Sequence, residues 1–310
     1  MTAPTPFLLS SGDLIADRRY VMATDLARRG DLAASIDLLS QALERAPGFA
    51  AAWFALGHAH EQAGDASAAV AAFRAALETD PADRHGAALH LARLGVPAPG
   101  EPMSPSYVRM LFDQYAPRYE AELIKQLGYC GPALLREAVE HGVAVSGRPP
   151  RFGRMLDLGC GTGLAGEAFR DCCDTLIGFD LAPAMIEQAR RKGLYAELVV
   201  GDMVESIGRE REAGADLVIA ADALVYVRDL AVVCHAVARA LAAKGILAFT
   251  VETHAGAGVI LGDRLRFAHG AFHVRDALET AGLAVLRLEA APVRTESGDP
   301  VPGLVAVAAK

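Results

Sequence analysis

Hydrophobic positions in the second half of the chain alternate between short apolar runs and amphipathic stretches at helical spacing. The runs predict strands at about 154–159, 175–180, 196–200, 215–220 and 246–252. The stretches between them predict helices, which include 183–192 and 230–244. This alternation is typical of an α/β fold with a doubly wound, mainly parallel sheet, and such a sheet binds ligands at the carboxyl ends of its strands.

Two further predicted strands, at about 284–290 and 303–309, close the chain. They are separated by a polar turn from Thr295 to Pro300. This spacing favours a C-terminal hairpin, which would add an antiparallel edge to the sheet. The complete pattern predicts a seven-stranded, Rossmann-like sheet within residues 151–310.

The N-terminal region, residues 1–95, contains an internal repeat. Gly30-Asp31 recurs as Gly64-Asp65, and Pro47 recurs as Pro81, both at the period of the tetratricopeptide helix-turn-helix unit. The second copy has the detailed pattern, with small and bulky residues alternating between its helices: Trp53, Leu56, Gly57, Ala69, Phe73, Ala76 and Pro81. The first copy, residues 16–49, is degenerate, because Arg19 stands where tryptophan is expected.

Residues 84–95 predict one more helix, which would cap this all-α array. Two repeats are fewer than the roughly three that such arrays need for stability, so we expect them to pack on the next domain or on a second subunit. Repeats of this kind carry no chemistry and present a surface. They are expected either to support or dimerise the chain or to hold a protein or peptide.

A proline-rich linker is predicted at 96–105, since prolines and glycines there interrupt regular structure. It leads into a helical segment, 106–150, with apolar residues at spacings of three and four and a break near Pro117. The aromatic members of this stripe, Phe112, Tyr115 and Tyr119, either face the core or form a lid over a ligand.

A dense glycine turn follows the first predicted strand. Gly159, Gly161 and Gly163 let the backbone bend and approach a ligand without a Cβ in the way. A helix begins near Leu164, and its free N–H groups would face the same ligand. The sequence therefore predicts a small-molecule site at this turn.

Three acids occupy successive strand ends in the predicted sheet. Asp180, at the end of the second strand, can accept hydrogen bonds from both hydroxyls of a ribose. Asp202, after the third, can meet the exocyclic amine of adenine, and Asp157 can face an amino group at the glycine turn. Each acid alone would also fit a helix N-cap or a surface position, but their order at consecutive strand ends favours a nucleoside ligand.

A dinucleotide is the competing ligand, because residues 161–166 also match G-x-G-x-x-G. A diphosphate would be repelled by Asp157 at the entrance to the turn. A ligand with an ammonium group suits that carboxylate better.

Four segments, 156–163, 179–180, 201–203 and 215–222, together resemble the class I S-adenosylmethionine-dependent methyltransferases, over about residues 105–310. The chain as a whole resembles predicted methyltransferases that carry tetratricopeptide repeats. It has the same order of parts: the repeats, then the segment from Tyr107 to Tyr119, then this core. The resemblance implies S-adenosylmethionine as cofactor, S-adenosylhomocysteine as product, and these cofactor-binding residues: Asp157, Gly159, Gly161, Gly163, Asp180, Leu181, Asp202, Met203, Ala221, Phe112, Tyr115 and Tyr119.

Methyl transfer requires an aligned acceptor and, for a hydroxyl or amine, removal of a proton. The candidates for catalysis follow the fourth and fifth strands: Asp222, Tyr226 and His254, with Glu252 and Thr253 beside them. His254 is the predicted base, because imidazole titrates near neutrality, although a polar residue at a loop start fits equally well.

Arg264, Arg266, His269 and His273 are predicted to bind substrate, since two arginines and two histidines suit an anionic acceptor. Asp263 would offset part of that charge. The predicted reaction is methyl transfer to an O or N nucleophile of a small-molecule or carrier-bound acceptor. The alternatives are a protein methyltransferase that docks its substrate on the repeats, and a catalytically silent cofactor-binding scaffold.

Composition limits the remaining possibilities. The 310 residues carry a formal net charge of -8, which argues against nucleic acid as the main partner. No apolar run is long enough for a transmembrane helix, and the N-terminus does not read as a signal peptide. The odd count of five cysteines suits reduced thiols in a cytoplasm, and no spacing indicates a metal site.

Overall fold

The computed structural model describes residues 10–98, 100–144, 149–296 and 298–310. Pro99 of the predicted linker and Ser297 of the predicted polar turn lie outside these residues. The chain divides into two compact units, and the division falls between Leu111 and Phe112. We call them the repeat unit and the sheet unit, and each is described by itself.

The repeat unit consists of helices in antiparallel pairs, α1 with α2 and α3 with α4, followed by a shorter helix and the first turns of α6. Their bounds are α1 Leu14–Arg28, α2 Leu32–Arg45, α3 Ala50–Gln62, α4 Ala66–Thr79, α5 Ala87–Arg93 and α6 Pro105–Tyr115. Helix α5 occupies the predicted capping position but is shorter than the predicted helix, because the left-handed Gly86 comes directly before it.

The repeated Gly-Asp pair forms the turn inside each helical pair. Gly30 and Gly64 adopt left-handed φ values of 86° and 82°, which favour glycine. Asp31 and Asp65 then cap α2 and α4 by accepting the backbone N–H groups three residues ahead. The 34-residue period thus corresponds to a repeated helix stop and helix start.

Close packing inside the second repeat depends on Gly57. A Cβ on Gly57 would lie 2.7 Å from the ring of Phe73, which is fully buried. The indole N–H of Trp53 donates to the carbonyl of Pro47 over 2.8 Å. The small and bulky residues of the repeat pattern therefore pack against each other, as the sequence predicts.

The sheet unit contains the rest of the helices and all strands of the described chain. Its helices are α7 Tyr119–Gln126, α8 Gly131–Ala144, α9 Leu164–Phe169, α10 Pro183–Lys192, α11 Met203–Gly208, α12 Leu230–Ala240 and α13 Ala271–Thr280. Its strands are β1 Phe152–Leu158, β2 Cys173–Asp180, β3 Glu197–Val200, β4 Ala215–Ala220, β5 Leu241–Glu252, β6 Val259–Leu261, β7 Phe267–His269, β8 Ala284–Ala290, β9 Thr295–Glu296, β10 Asp299–Pro300 and β11 Gly303–Ala309.

Seven strands form the main path of one sheet, in the order β3-β2-β1-β4-β5-β11-β8. The first five are parallel, and β11 runs antiparallel to both β5 and β8. This arrangement confirms the predicted Rossmann-like sheet with an antiparallel C-terminal pair.

Two details differ from the prediction. The small hairpin of β6 and β7 was not predicted, and β7 joins the sheet through Ala268 opposite Glu252. Helix α12 ends at Ala240 rather than near Lys244, because Leu241 already pairs with Ala215 of β4. Helical periodicity in this apolar stretch continues into strand residues, so the boundary is not visible in the pattern.

Both faces of the sheet are buried. Leu156, Val218 and Phe249 belong to one apolar cluster, while Met155, Leu217 and Ala248 belong to the cluster on the other face. The middle of each central strand is therefore largely apolar, and buried polar side chains such as Asp157 lie toward the carboxyl ends.

Candidate active site

Asp157 lies at the carboxyl end of β1 and is completely buried. Its Oδ2 atom accepts a hydrogen bond of 2.6 Å from the hydroxyl of Tyr195, whereas its Oδ1 atom is buried without a hydrogen-bond partner in the described chain. Burial raises the pKa of Asp157 to about 7, against the lowering effect of Tyr195, and nearby Asp180 adds to the rise. A buried carboxylate oxygen without a partner favours a ligand that brings a cation or a hydrogen-bond donor.

The three glycines of the turn serve different purposes. All three have positive φ, but a Cβ on Gly159 would lie 2.5 Å from the Cβ of Ala223, and one on Gly163 would lie 3.1 Å from the ring of Tyr195. A Cβ on Gly161 would meet only Tyr119, at 3.9 Å. All three were predicted to let the backbone approach a ligand, and Gly159 and Gly163 also leave room for Ala223 and Tyr195. Gly161 is the one of the three whose Cβ position is nearly open.

Asp180 ends β2 and bridges to the glycine turn. Its Oδ2 atom accepts the N–H of Gly161 at 2.9 Å, and its Oδ1 atom accepts the N–H of Ala182 at 2.8 Å. Burial raises the pKa of Asp180 to about 6, although both backbone bonds lower it. Because a carboxylate oxygen can accept more than one hydrogen bond, Asp180 can still receive the hydroxyls of a ribose.

Asp202 is the N-cap of α11. Its Oδ1 atom accepts the N–H groups of Val204 and Glu205, at 2.9 and 3.0 Å. The next residue, Met203, reaches the glycine turn, since its Cε atom lies 3.9 Å from where a Cβ on Gly159 would be. The capping role of Asp202 leaves its second oxygen available, so capping and adenine recognition are compatible.

The predicted lid residues lie beside this turn. The Tyr119 ring meets those of Phe112 and Tyr115 edge-on, with centroids 6.1 and 5.4 Å apart. Phe112 also meets the Tyr226 ring at 5.2 Å, and Asp113 accepts the N–H of Ala184 at the start of α10. The aromatic residues therefore connect the glycine turn to the end of β4.

Asp222 follows β4 in a left-handed conformation, with φ of 57°. Its N–H donates to Thr250 Oγ1 at 2.8 Å, and its Oδ2 atom pairs with Arg294. Its Oδ1 atom is buried and has no hydrogen-bond partner among the described residues. An aspartate tolerates this backbone better than most residues, and such strain is typical of functional positions.

Arg294 is the centre of a buried ionic network and is only 2% exposed. It pairs with Asp222, Glu252 and Glu296, and the last of these lies 2.9 Å away. Although burial opposes ionisation, these acids hold the pKa of Arg294 above its ordinary value. The arginine is therefore a permanent charge between the ends of β4 and β5.

Arg264 and Arg266 belong to the same network. Arg266 lies 2.9 Å from Glu252 and 2.6 Å from Glu296, and Arg264 lies 2.5 Å from Glu296. This pairing compensates the charge of both arginines with acids of the protein, which weighs against the prediction that they bind an anionic acceptor. Arg294 and Glu296 were not predicted as site residues, because they lie in a segment with no motif.

His269 does not provide a positive charge. The two rings stack with centroids 5.5 Å apart, and His269 is fully buried. Burial and the neighbouring His273 lower the pKa of His269 to about 4, so it is neutral at pH 7. The neutral form of His269 weighs against its predicted part in binding an anion.

His254 is bonded within its own loop. Its Nδ1 atom accepts the N–H of Gly256 at 3.1 Å, and its Nε2 atom lies 3.3 Å from the carbonyl oxygen of Gly258. Both ring nitrogens are engaged, so the geometry favours a structural role over the predicted role of a base. The other two predicted catalytic residues, Asp222 and Tyr226, do lie together near the lid.

Leu181 and Ala221 follow β2 and β4 directly and are half-buried, beside Asp180 and Asp222. The described residues contain no group of three or more side chains suited to a metal ion, and no helix among them could cross a membrane. Neither observation adds a further site.

Comparison with known families identifies both units. Residues 155–245 match the model of a methyltransferase domain, and residues 20–84 match that of the tetratricopeptide repeat. The chain carries a class I methyltransferase domain and tetratricopeptide repeats. The sequence prediction of this combination, and of S-adenosylmethionine as the cofactor class that goes with it, is confirmed at the level of the family.

Two curated relatives show how far the similarity extends. Human methyltransferase-like protein 27 is 30% identical over 56% of this chain and 66% of its own length. A ubiquinone biosynthesis O-methyltransferase of Xanthomonas oryzae pv. oryzae is 30% identical over 42% of this chain and 59% of its own length. The chain thus spans less than two thirds of either relative.

A solved structure supports the fold of the methyltransferase domain. The 1,6-didemethyltoxoflavin-N1-methyltransferase of Burkholderia thailandensis, solved with S-adenosylhomocysteine, superposes with a TM-score of 0.51 at 18% identity. The match covers 69% of this chain and 93% of that one.

Proposed function

We propose that the protein transfers a methyl group from S-adenosylmethionine to a hydroxyl or amine of a small-molecule or carrier-bound acceptor. The observation that carries the proposal is the buried Oδ1 atom of Asp157, which has no hydrogen-bond partner among the described residues and precedes a turn in which the Cβ position of Gly161 is nearly open. An ammonium group placed there would supply the missing hydrogen bond and the missing countercharge.

The donor set fits the rest of this cofactor. Asp180 can receive the ribose hydroxyls, and Asp202 with Met203 can receive the adenine. Asp157 and Asp180 are two buried acids beside one turn, so a diphosphate would be repelled there. This arrangement disfavours the dinucleotide that the glycine pattern also allows.

Methyl transfer needs the donor and the acceptor held in line and water kept out. S-adenosylmethionine supplies the activated methyl group when it is bound. In our proposal three aromatic rings cover the site, those of Phe112, Tyr119 and Tyr226. The Oδ1 atom of Asp222 accepts a hydrogen bond from the O–H or N–H group of the acceptor and then takes its proton. Asp222 replaces His254 in this role because His254 is bonded within its loop.

The charge of the network favours a neutral or cationic acceptor. The three arginines of the network are matched by three acids: Arg264, Arg266 and Arg294 by Asp222, Glu252 and Glu296. One oxygen of Asp222 still lacks a partner in the part of the chain that the structure describes. An anionic acceptor would therefore meet arginines that are already paired with acids of the protein. The repeats, which present surfaces rather than chemistry, are proposed to engage a protein partner or a second subunit.

Calorimetry with S-adenosylmethionine and S-adenosylhomocysteine tests the cofactor assignment. We expect the wild type to bind both, and Asp180→Ala to bind at least about tenfold more weakly, because a charged hydrogen-bond acceptor is lost. Asp174→Ala is the matched control, since Asp174 lies at the opposite end of β2, exposed and paired with Arg151. If the wild type binds neither compound, the proposal is wrong.

Turnover of Asp222→Asn tests the acceptor side. On any acceptor found by screening amines, phenols and carboxylic acids, we expect cofactor binding to persist and turnover to fall about 10²–10⁴-fold. Asp276→Asn, a change at an exposed position of α13, serves as control. Turnover of Asp222→Asn at the wild-type rate would remove Asp222 from the reaction.

A further inference from the structure

We propose that Tyr195 is a positioning residue for the methyl donor, and that it holds Asp157 ready for the donor's ammonium group. The inference rests on the proposed function, because it assumes that Asp157 faces S-adenosylmethionine. Tyr195 lies in the loop between α10 and β3, outside every motif that the sequence analysis used.

The ring of Tyr195 occupies a space that three glycines leave open. A Cβ on Gly163 would lie 3.1 Å from Cε2 of the ring, one on Gly166 would lie 2.6 Å from Cζ, and one on Gly178 would lie 3.0 Å from Cε1. These glycines come from the turn, from α9 and from β2. The glycine-rich pattern that resembles a nucleotide fingerprint therefore serves in large part to admit this tyrosine.

The backbone around Tyr195 is fixed as well. The N–H of Ala196 donates to the carbonyl of Leu176 over 2.8 Å, which ties the loop to β2. With its ring enclosed and its backbone anchored, the hydroxyl of Tyr195 has little freedom when it donates to Asp157 Oδ2. That bond fixes which carboxylate oxygen stays without a partner.

The surroundings of Asp157 otherwise disfavour its ionised form. The titratable groups that face it are Asp180 on β2, Cys160 in the turn, Tyr129 before α8 and Tyr195 itself. Burial and Asp157 raise the pKa of Tyr195, so its hydroxyl stays protonated and remains a donor. Tyr195 is thus the group that favours the carboxylate, the form that an ammonium ligand needs.

The variant Tyr195→Phe removes the hydroxyl and keeps the ring between the glycines. By calorimetry with S-adenosylhomocysteine at pH 7 we expect about tenfold weaker binding than the wild type, as for loss of a hydrogen bond to a charged group. Affinity should rise with pH until Asp157 is ionised, and the midpoint of this rise should lie about one pH unit higher in the variant. The melting temperature should change little.

Tyr20→Phe is the matched control, because Tyr20 is a buried tyrosine of the repeat unit whose hydroxyl has no partner in the described chain. It should bind as the wild type does, with the same midpoint. A purely structural role for Tyr195 would lower the melting temperature without moving the midpoint, and that result would overturn the proposal. Equal affinity and midpoint in Tyr195→Phe and wild type would also overturn it.

A second measurement needs no ligand and separates this inference from the proposed function. Carbon-detected NMR titration of the Asp157 carboxyl group should show a higher pKa in Tyr195→Phe than in the wild type. If the wild type binds no cofactor but this rise is seen, the cofactor assignment fails and the coupling of Tyr195 to Asp157 stands. If the pKa does not rise, the inference is wrong whatever binds.

Discussion

Buried or partly buried acids occur in both units of the chain, but their hydrogen bonds are completed in different ways. In the repeat unit, Glu61 pairs with His90 at 2.8 Å and with Arg93 at 2.6 Å, and Asp83 accepts the N–H groups of two residues at the start of α5. In the sheet unit, Asp157 and Asp222 each keep one buried oxygen without a partner in the described residues.

The pKa values of Glu61 and Asp157 show the same contrast, whereas burial raises the pKa of Asp83 to about 6 despite its backbone hydrogen bonds. Burial alone would raise the pKa of Glu61, but hydrogen bonds from His90 and Arg93 outweigh it and lower the pKa to about 2. Burial raises the pKa of Asp157 to about 7, since one hydrogen bond from Tyr195 does not compensate it. Glu61 therefore stabilises its unit at neutral pH, whereas ionised Asp157 destabilises its own unit until a ligand arrives.

The largest expected effect tests whether the ionic network belongs to the scaffold. Arg294→Met would take from Asp222 its partner in the network, while Glu252 and Glu296 would keep Arg266. We expect the free energy of unfolding of the sheet unit to fall by about 3–5 kcal/mol, as for a buried charge that loses its partner. Denaturant unfolding monitored by circular dichroism measures this change.

Arg287→Met provides the control, because Arg287 lies on the edge strand β8 and pairs with the exposed Glu289. Surface pairs of this kind contribute about 0–1 kcal/mol. An equally small effect for Arg294→Met would contradict the view that the ionic network stabilises the fold. Arg294 could then serve an anionic acceptor instead.

A smaller effect distinguishes N-caps of the two units. Asp65 caps α4 by accepting one backbone N–H, and Asp202 caps α11 by accepting two. Replacement of either by alanine should lower the free energy of unfolding by about 1 kcal/mol. Only Asp202→Ala should also weaken binding of S-adenosylhomocysteine, measured by calorimetry. If both variants bind equally well, Asp202 is a cap and nothing more.

Much of the fold could be predicted because its signals are local. The Gly-Asp pairs mark a helix end and a helix start within two residues, and apolar strand runs end where Asp157, Asp180 and Asp202 begin the site. Such signals depend on backbone conformation and burial, which neighbouring residues largely determine.

The partners of the site residues could not be predicted in the same way. Tyr195 meets Asp157 across 38 positions, and Arg294 meets Asp222 across 72. Neither contact has a fixed spacing or a motif, so the compensation of Arg264 and Arg266 by Glu296 was also not visible. The sequence shows the dense run of glycines, but it does not show that the side chain of Tyr195 fills the space beside them.

The most direct measurement is the free energy of unfolding of Asp157→Asn and wild type at pH 8, with and without S-adenosylhomocysteine. The pKa of Asp157 is higher in the folded protein than its ordinary value of 3.8. Between about pH 4 and 7 the folded wild type therefore holds a proton that the unfolded chain has lost. The stability of the wild type falls as the pH rises through this window.

At pH 8 we therefore predict that Asp157→Asn alone is more stable than wild type by about 2 kcal/mol, and that this gap shrinks as the pH falls toward 4. Ligand at about 100 times its dissociation constant should add about 2.7 kcal/mol to the wild type and far less to the variant. A variant that is less stable than wild type at pH 8, or equally stabilised by ligand, would contradict the assignment of Asp157 as an acid kept for a ligand.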